Sequence, residues 1–445
     1  MKKFIETIKN IFKIEELRDR ILTTLSFILI YRLGAHIVLP GVDPGALAQL
    51  QAQTSSGILG LIDMFAGGAF SQASIFALGI MPYISASIVV QLLGIAVPYF
   101  QKLQKEGESG RKKINQITRW LTVLVTLGQA PGYIVNLKSQ APGAILVDGT
   151  GFWITSVIIL TSGTLFVMWL GERITEKGIG NGISLLIMIG IIARLPSSLN
   201  DEFFSRLNEG GGLVLFLVEI LALFLVIAFV IMLVQGTRRI PVQFAKKIVG
   251  NKQYGGVRQY IPLKVNAAGV MPIIFAQAIM FIPATIAQFF PESAAWQGFA
   301  GAFTNFTSFW YNFVFALLII LFTYFYTAIT VNPNQMAEDM KKNGGFIPGV
   351  KPGKKTAEFI DNVMSRITLP GSFFLAFVAI LPTFAILAGV NTNFAQFYGG
   401  TSLLILVGVV LDTLQQIESH LLMRHYDGLM KTGKIKGRSA IGAAV

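Results

Sequence analysis

The sequence predicts an all-α polytopic membrane protein that crosses a lipid bilayer ten times. Hydrophobic residues make up 53% of the 445 residues and charged residues only 13%, whereas soluble domains carry about 25% charged residues. Ten mainly apolar stretches, some of them marginal, approach the roughly 20 residues that a helix needs to cross the hydrocarbon core. Lysine and arginine are concentrated in alternate loops between these stretches. Together these observations favour a multi-span helical bundle.

The predicted spans follow one another along nearly the whole chain. The fifth is short, but clear loops bracket it. The ten spans are residues 21–40, 73–95, 117–137, 152–171, 181–195, 213–235, 267–290, 309–330, 369–389 and 400–422.

The basic residues predict the orientation. With the N-terminus inside, 32 of the 36 lysines and arginines fall in cytoplasmic segments, as the positive-inside rule requires. An odd number of spans would scatter this pattern. We therefore expect a cytoplasmic amphipathic N-terminus at 1–20, with no cleaved signal peptide, and a cytoplasmic tail at 423–445. The net charge of +13 then belongs to cytoplasmic segments and not to a nucleic-acid-binding face.

The count of ten predicts two halves of five spans, residues 21–195 and 213–422. Because five is odd, related halves must have opposite topology, and inverted halves place a functional pathway at their interface. The sequence shows no clear internal repeat, so this expectation rests on the count. Two long polar loops, 236–266 and 331–368, are expected to project into the cytoplasm.

Residues 57–71 form an apolar stretch that is too short to span and contains Asp63 and the pair Gly67–Gly68. Irregular helices at membrane depth occur only where protein buries them or where they line a cavity. The residues alone are equally consistent with a re-entrant helix on the outer side and with an interfacial helix or ordinary loop. In the next span, Gly79 and Pro82 predict a kink.

Ionisable residues are rare within the spans. Spans two, four, seven, eight and nine contain no Asp, Glu, Lys, Arg or His, although ion-coupled transporters usually mark their path with such groups. We expect some of the remaining candidates to reach an interface (Arg32, His36, Glu418) and the others to pair within the bundle or with a partner subunit (Glu219, Asp412). The pattern favours a path that is sealed by apolar side chains.

The sequence predicts neither a catalytic centre nor a cofactor. There is no cysteine, and no GxxxxGK phosphate loop occurs. The three histidines do not form a credible metal set. The sequence GIGNG at 178–182 opens a span instead of following a soluble strand, which disfavours a nucleotide site.

Six long segments resemble the SecY family of bacterial protein-translocase channels, in family order and spacing. They are FALGIMPYISASIVVQLL (76–93), KEGESGRKKINQITRW (105–120), ERITEKGIGNGISLLI (172–187), IPLKVNAAGVMPIIFA (261–276), GFIPGVKPGKKTAEFIDNVMSRITLPG (345–371) and YGGTSLLILVGVVLD (398–412). The resemblance covers roughly residues 1–435.

This resemblance implies a ten-helix clamshell with an hourglass pore, a short outer plug helix and a seam that opens sideways to lipid. It also implies the function of a protein-conducting channel in the bacterial plasma membrane. Such a channel passes unfolded, signal-bearing chains across and releases membrane segments into lipid. It is not itself an enzyme, since the motor ATPase SecA or the translating ribosome supplies the energy. Small SecE-like and SecG-like subunits are the expected membrane partners.

The resemblance also implies roles for individual residues. The pore ring falls on six isoleucines: Ile80, Ile84, Ile183, Ile187, Ile274 and Ile405. The plug includes Ile62, Met64, Phe65, Gly67 and Gly68, and the lateral gate Ser87, Gln91 and Asn266.

Contacts to SecA or the ribosome fall on basic residues of the two cytoplasmic loops, since acidic proteins and ribosomal RNA are attracted to such clusters. At position 351 many relatives have arginine, and lysine lacks its planar bidentate fork. The basic residues are Arg238, Arg239, Lys246, Lys247, Lys252 and Arg258 in the first loop, and Lys341, Lys342, Lys351, Lys354 and Lys355 in the second.

Two other functions remain open from the residues. A secondary transporter with inverted repeats would show a solute site and coupling ions, which the uncharged central spans disfavour. A membrane insertase or scaffold would lack an aqueous pore, and the short segment before span two speaks against it.

Overall fold

A computed structural model describes most of the chain. The described residues are 14–47, 58–141, 143–146, 149–209, 212–244, 247–249, 252–254, 258–277, 279–280 and 307–432. The predicted N-terminal segment up to residue 13, residue 57, Lys246, the second half of span seven and the tail from residue 433 lie outside them.

A helix lies within each of the ten predicted spans, and we number these span helices one to ten. Nine of them are Glu15–Ala35, Met81–Ala96, Glu108–Gln140, Thr150–Lys177, Gly182–Glu209, Gly212–Gln235, Phe309–Thr330, Lys354–Leu387 and Gly400–Thr432. Helical residues 271–277 and 279–280 belong to the seventh.

Length and composition test the membrane assignment of the described helices. Six of them are long and apolar enough to cross a membrane, and a seventh qualifies if Met81–Gly94 and Pro98–Gln104, bent by 100°, form one span. The sixth helix shows its environment most clearly, since large apolar side chains such as Val214 and Met232 are 74% exposed. Such apolar surface is stable against lipid and not against water.

The second span helix begins later than the sequence predicts. Residues 74–80 form a bridge and turns, and the helix starts at Met81. Pro82 therefore lies in the first turn, where the missing N–H costs no intrahelical bond. The predicted kink at Pro82 is wrong, because the proline starts the helix instead of bending it. Gly79, with φ +53°, makes the turn that precedes it.

The fifth span helix is longer than the sequence predicts. It continues past residue 195 to Glu209 and contains Pro196. This helix packs against span helices one, four, six and ten, and against the short helix Ile58–Phe65. It therefore connects the two predicted halves of the chain and also contacts the short helix of the site described below.

The two loops that the sequence predicts to be cytoplasmic are joined through a shared sheet. Strand β1 (Thr237–Phe244) pairs antiparallel with β4 (Arg258–Lys264) and with β5 (Gly345–Phe346) of the second loop, and β2 (Lys247–Val249) pairs with β3 (Lys252–Tyr254). A cluster of apolar side chains lies between this sheet, helix Pro333–Lys342 and the start of the ninth helix. Its buried members are Ile240, Val242, Leu263, Met340, Ile347, Ile360 and Met364.

Candidate channel constriction and plug

The six isoleucines of the predicted pore ring lie in the large apolar core of the bundle. Ile80 precedes the second helix, and the others lie on helices two, five, seven and ten. All six belong to one apolar cluster: three are buried within it and three are partly buried and packed against it. The buried members are Ile80, Ile187 and Ile405, and the packed members are Ile84, Ile183 and Ile274.

A short helix, Ile58–Phe65, enters the same cluster. We call this helix with the following turns to Ala73 the plug segment. Met64 is 2% exposed and Phe65 6% exposed, and both are members of the cluster. Ile62 lies on the helix, but its side chain is outside the described part. Residues of the predicted ring and of the predicted plug therefore belong to the same large apolar cluster.

The glycine pair of the plug segment ends its helix by hydrogen bonding. Gly68 N–H donates to the Asp63 carbonyl at 2.8 Å, and Gly67 N–H donates to the Met64 carbonyl at 3.1 Å. This is the Schellman pattern, which needs a left-handed residue after the helix. Gly67 supplies it with φ +66°. The Gly67–Gly68 break predicted from the sequence is therefore a helix C-terminus.

Side chains of span helices one and three hold the backbone of the plug segment. The Tyr31 hydroxyl donates to the Ala66 carbonyl at 3.3 Å, and Arg32 Nη1 donates to the Gly67 carbonyl at 2.9 Å. The Tyr133 hydroxyl donates to the Phe70 carbonyl at 2.8 Å. Arg32, which the sequence predicts near a membrane interface, also binds the turn that follows the plug helix through its guanidinium.

The fifth helix contacts the plug segment through backbone and charge. A Cβ on Gly190 would lie 2.8 Å from the Phe65 carbonyl oxygen, and one on Gly67 would lie 2.9 Å from the Gly190 Cα. The plug segment and the fifth helix can approach each other this closely only because both residues are glycine. Beside this contact, Arg194 Nη1 lies 2.6 Å from Asp63 Oδ2. The Asp63 side chain is 1% exposed, and its Oδ1 accepts the Ser71 N–H at 2.8 Å.

The predicted lateral-gate residues are only partly joined. Gln91 Nε2 donates to Ser87 Oγ at 3.3 Å within the second helix. Asn266 is 7% exposed, and its side-chain oxygen is buried with no hydrogen-bond partner in the described part of the chain. No hydrogen bond between described residues joins Asn266 to Ser87 or Gln91. In the described part of the chain, the candidate residues on the two sides of the predicted seam are therefore not joined to each other by a hydrogen bond.

A second ionic cluster lies at the far end of the fifth helix. Arg206 Nε lies 2.9 Å from Glu202 Oε1, and Arg206 Nη2 lies 2.6 Å from Glu219 Oε1 on the sixth helix. Glu202 Oε2 also accepts the Asn391 N–H at 2.8 Å, and the Tyr398 hydroxyl donates to the Glu219 carbonyl at 2.7 Å. The expected pairing of Glu219 within the bundle is confirmed. Asp412 was the other residue expected to pair. It accepts a hydrogen bond from Gln416 Nε2 of the same helix at 3.1 Å.

The predicted docking residues are distributed over the two predicted cytoplasmic loops, residues 236–266 and 331–368, which we call the predicted cytoplasmic unit. Arg238 and Arg239 are exposed on β1, and Lys247, Lys252 and Arg258 lie on the other strands of the first loop. Lys351 is exposed just before the ninth helix, and its carbonyl accepts the Thr356 hydroxyl at 2.9 Å. Lys341, Lys342, Lys354 and Lys355 are also exposed. No group of three or more potential metal ligands occurs among the described residues.

Sequence and structural comparisons identify the family. A profile described as SecY matches residues 74–414. The chain belongs to the SecY family. It is 46% identical to "Protein translocase subunit SecY" of Streptomyces scabiei, covering 94% of this chain and 98% of that one. It is 42% identical to the protein of the same name from Vibrio cholerae, covering 95% and 96%.

Solved structures share the fold at low sequence identity. "The structure of a protein conducting channel" has a TM-score of 0.62 at 18% identity and covers 93% of this chain and 95% of that chain. Sec61 in a canine ribosome-channel complex has a TM-score of 0.60 at 17% identity, with coverage of 93% and 95%. These likenesses show that the chain has the SecY and Sec61 channel fold.

The sequence reasoning missed the residues that hold the plug segment. Tyr133, Gly190 and Arg194 lie in spans or at their ends, where tyrosine, glycine and arginine have many ordinary roles. Arg194 carried one usable signal, since it is one of only four basic residues outside the predicted cytoplasmic segments. A buried Asp63 needs a positive partner, and combining the two would have suggested the pair.

Proposed function

We propose that the chain forms the protein-conducting channel of a bacterial Sec translocase. It passes unfolded, signal-bearing polypeptides across the plasma membrane and releases hydrophobic segments into lipid. The observation that supports this proposal most is that six isoleucines, on or next to four span helices, share one large apolar cluster with Met64 and Phe65 of the plug segment. Family membership supports it.

The physical mechanism follows from that apolar cluster. A narrow apolar constriction excludes water, so ions do not pass while it is closed. Branched isoleucine side chains can surround a chain of any sequence, because they make no specific polar contacts that each new residue would have to satisfy. The plug segment adds a second seal on one side of the ring. Uncharged polar residues at the seam, Ser87, Gln91 and Asn266, separate at low cost, since such interhelical bonds contribute only about 0.6–2 kcal/mol.

The proposed assembly follows from the surfaces of the chain. We propose that the two sets of five spans form inverted halves, with both termini in the cytoplasm. SecE-like and SecG-like subunits cover part of the apolar surface, and the basic cytoplasmic unit binds SecA or the ribosome. The chain itself has no catalytic role, and these partners supply the energy. Two ribosome-bound fold neighbours, canine Sec61 and yeast Ssh1, support the ribosome as a partner.

Reconstitution tests this proposal. The full chain is placed in vesicles with its membrane partners and a SecA-type motor, and protease protection of a signal-bearing precursor is measured. ATP-dependent protection is the expected result, and it should disappear when the precursor is folded and cross-linked. Full activity of vesicles without the chain would contradict the proposal.

A further inference from the structure

The contact between Asp63 and the fifth helix differs from the other contacts of the plug segment. Tyr31, Arg32 and Tyr133 all donate to backbone carbonyls, which any sequence presents. Asp63 instead contributes a charged side chain that is 1% exposed, and it lies opposite the guanidinium of Arg194. This contact therefore depends on the identity of both residues.

The position of Asp63 within its helix makes a positive partner necessary. Asp63 lies in the last turn of Ile58–Phe65, where the helix dipole disfavours a carboxylate. Its Oδ1 accepts only a neutral donor, the Ser71 N–H, at 2.8 Å. A buried carboxylate without a countercharge is strongly destabilised. The Arg194 guanidinium, 2.6 Å from Oδ2, supplies the charge.

The Arg194 side of the pair is suited to release. Its side chain is 26% exposed, so protein does not fully enclose it even while the pair is formed. Asp63 also gains hydration if the plug segment moves away from the cluster. The pair therefore stabilises the closed arrangement while both ions have a favourable environment in the displaced arrangement.

We propose that Arg194 is a positioning residue that holds the plug segment closed through its ion pair with Asp63. The proposal rests on the proposed channel function. In this proposal, the strength of the ion pair sets how readily the plug segment leaves the apolar cluster. Removing either charge then opens the channel more often, although the signal sequence is unchanged.

A thiol-labelling experiment measures the plug position without depending on transport. The chain contains no cysteine, so Met64→Cys provides a single reactive group at a position that is 2% exposed. The full chain is reconstituted in vesicles that expose its outer face, and the rate of reaction with a membrane-impermeant maleimide is measured. Arg194→Met and Asp63→Asn are each combined with the reporter; Asp63→Asn keeps an oxygen for the Ser71 N–H.

We expect Arg194→Met to raise the labelling rate about tenfold or more, because it leaves a buried carboxylate unpaired. Asp63→Asn should raise it by a smaller factor, and Arg194→Lys should restore most of the slow rate. The matched control is Arg173→Met, which removes an arginine from an exposed pair with Glu176 and should leave the rate unchanged.

Unchanged labelling in both Arg194→Met and Asp63→Asn would overturn the positioning role, and so would an equal increase with Arg173→Met. Charge exchange, Asp63→Arg with Arg194→Asp, provides a second test if a single variant fails to fold. The exchanged chain should label more slowly than Asp63→Arg alone, and an equal or faster rate would contradict a direct pair. Precursor translocation is measured in the same vesicles: a wild-type chain that translocates nothing contradicts the proposed function, whatever the labelling shows.

Discussion

The fifth span helix carries two ionic contacts that differ in their number of partners. Near its middle, Arg194 meets one carboxylate, Asp63 of the plug segment. Near its end, Arg206 meets two carboxylates, Glu202 and Glu219, and donates to the Gly389 carbonyl. The first contact joins a short helix to the bundle. The second joins the fifth helix, the sixth helix and the segment after the ninth.

This difference separates a releasable contact from a permanent one. The Arg206 side chain is only 14% exposed, against 26% for Arg194, and one of its two carboxylate partners, Glu202, also accepts the Asn391 N–H. Breaking this cluster leaves two buried carboxylates without their countercharge, whereas breaking the Asp63 contact separates a single pair whose arginine is more exposed. One helix can thus hold the junction of the two halves rigidly while it releases the plug segment.

The largest effect is expected from Arg206→Met, which breaks the permanent contact. Two carboxylates, 1% and 8% exposed, then remain buried without a countercharge, which costs about 3–5 kcal/mol. We expect poor accumulation of the chain and a clearly lower unfolding temperature in detergent. Arg173→Met, at an exposed pair, should cost no more than about 1 kcal/mol. Similar unfolding temperatures for the two variants would mean that the Arg206 cluster does not stabilise the junction.

The next effect tests the close approach of the fifth helix to the plug segment. Gly190→Leu places a side chain against the Phe65 carbonyl, where even a Cβ would lie at 2.8 Å. Overpacking of this kind costs about 1–3 kcal/mol, and displacement of the plug segment is the easiest relief. We expect faster maleimide labelling of Met64→Cys and an increased ion leak. Gly132→Leu is the matched control, since a Cβ there meets nothing within 4 Å; equal leak in both variants would argue against a specific contact.

A smaller effect is expected from the ring itself. Ile274→Asn adds a polar group to the apolar constriction, which then wets more easily, while the ionic contacts stay intact. We expect more translocation of a reporter with a defective signal sequence and a modest ion leak in an export assay. Ile279→Asn, at a 40% exposed position of the same helix, is the control. Unchanged stringency with Ile274→Asn would remove this residue from the ring.

The smallest effect is expected at the cytoplasmic surface, far from both ionic contacts. Charge reversal at Arg239 or Lys351 should weaken binding of SecA or ribosomes by roughly 1 kcal/mol each, about fivefold, because exposed charges act weakly. The loss should shrink at high salt. Binding isotherms at two salt concentrations measure it, and equal affinities for variant and wild type would exclude these residues from the contact.

The sequence predicted where the long helices lie because their signal, apolar length flanked by charge, is local. It did not predict the sheet formed by β1, β4 and β5. In β1 the buried residues Ile240 and Val242 alternate with exposed ones, but two apolar residues among arginines and a proline are too short a pattern to stand out. The sequence also did not predict that the fifth helix continues beyond residue 195. Glu202 has the polarity of a surface residue, and its contacts with Arg206 and Asn391 form only in the folded chain.

The site was predictable only in part. Isoleucine in a span usually contacts lipid or a neighbouring helix, so the residues alone could not select Ile187 or Ile405 from the many apolar side chains of the spans. The resemblance to the SecY family selected them, and the structure places all six in one cluster. The plug contacts from Tyr133, Gly190 and Arg194 involve separations of more than 60 residues from their partners, which no local pattern encodes.

Cross-linking to a trapped substrate tests most directly whether the six isoleucines surround the translocating chain. Single cysteines replace each isoleucine in this cysteine-free protein, and a translocating precursor with one cysteine is stalled across the membrane. We predict disulfides to the precursor from positions 80, 84, 183, 187, 274 and 405, and none from the exposed, lipid-facing positions Val214 and Leu321. Cross-links that form equally at the lipid-facing positions, or that are absent from the ring, would contradict the account.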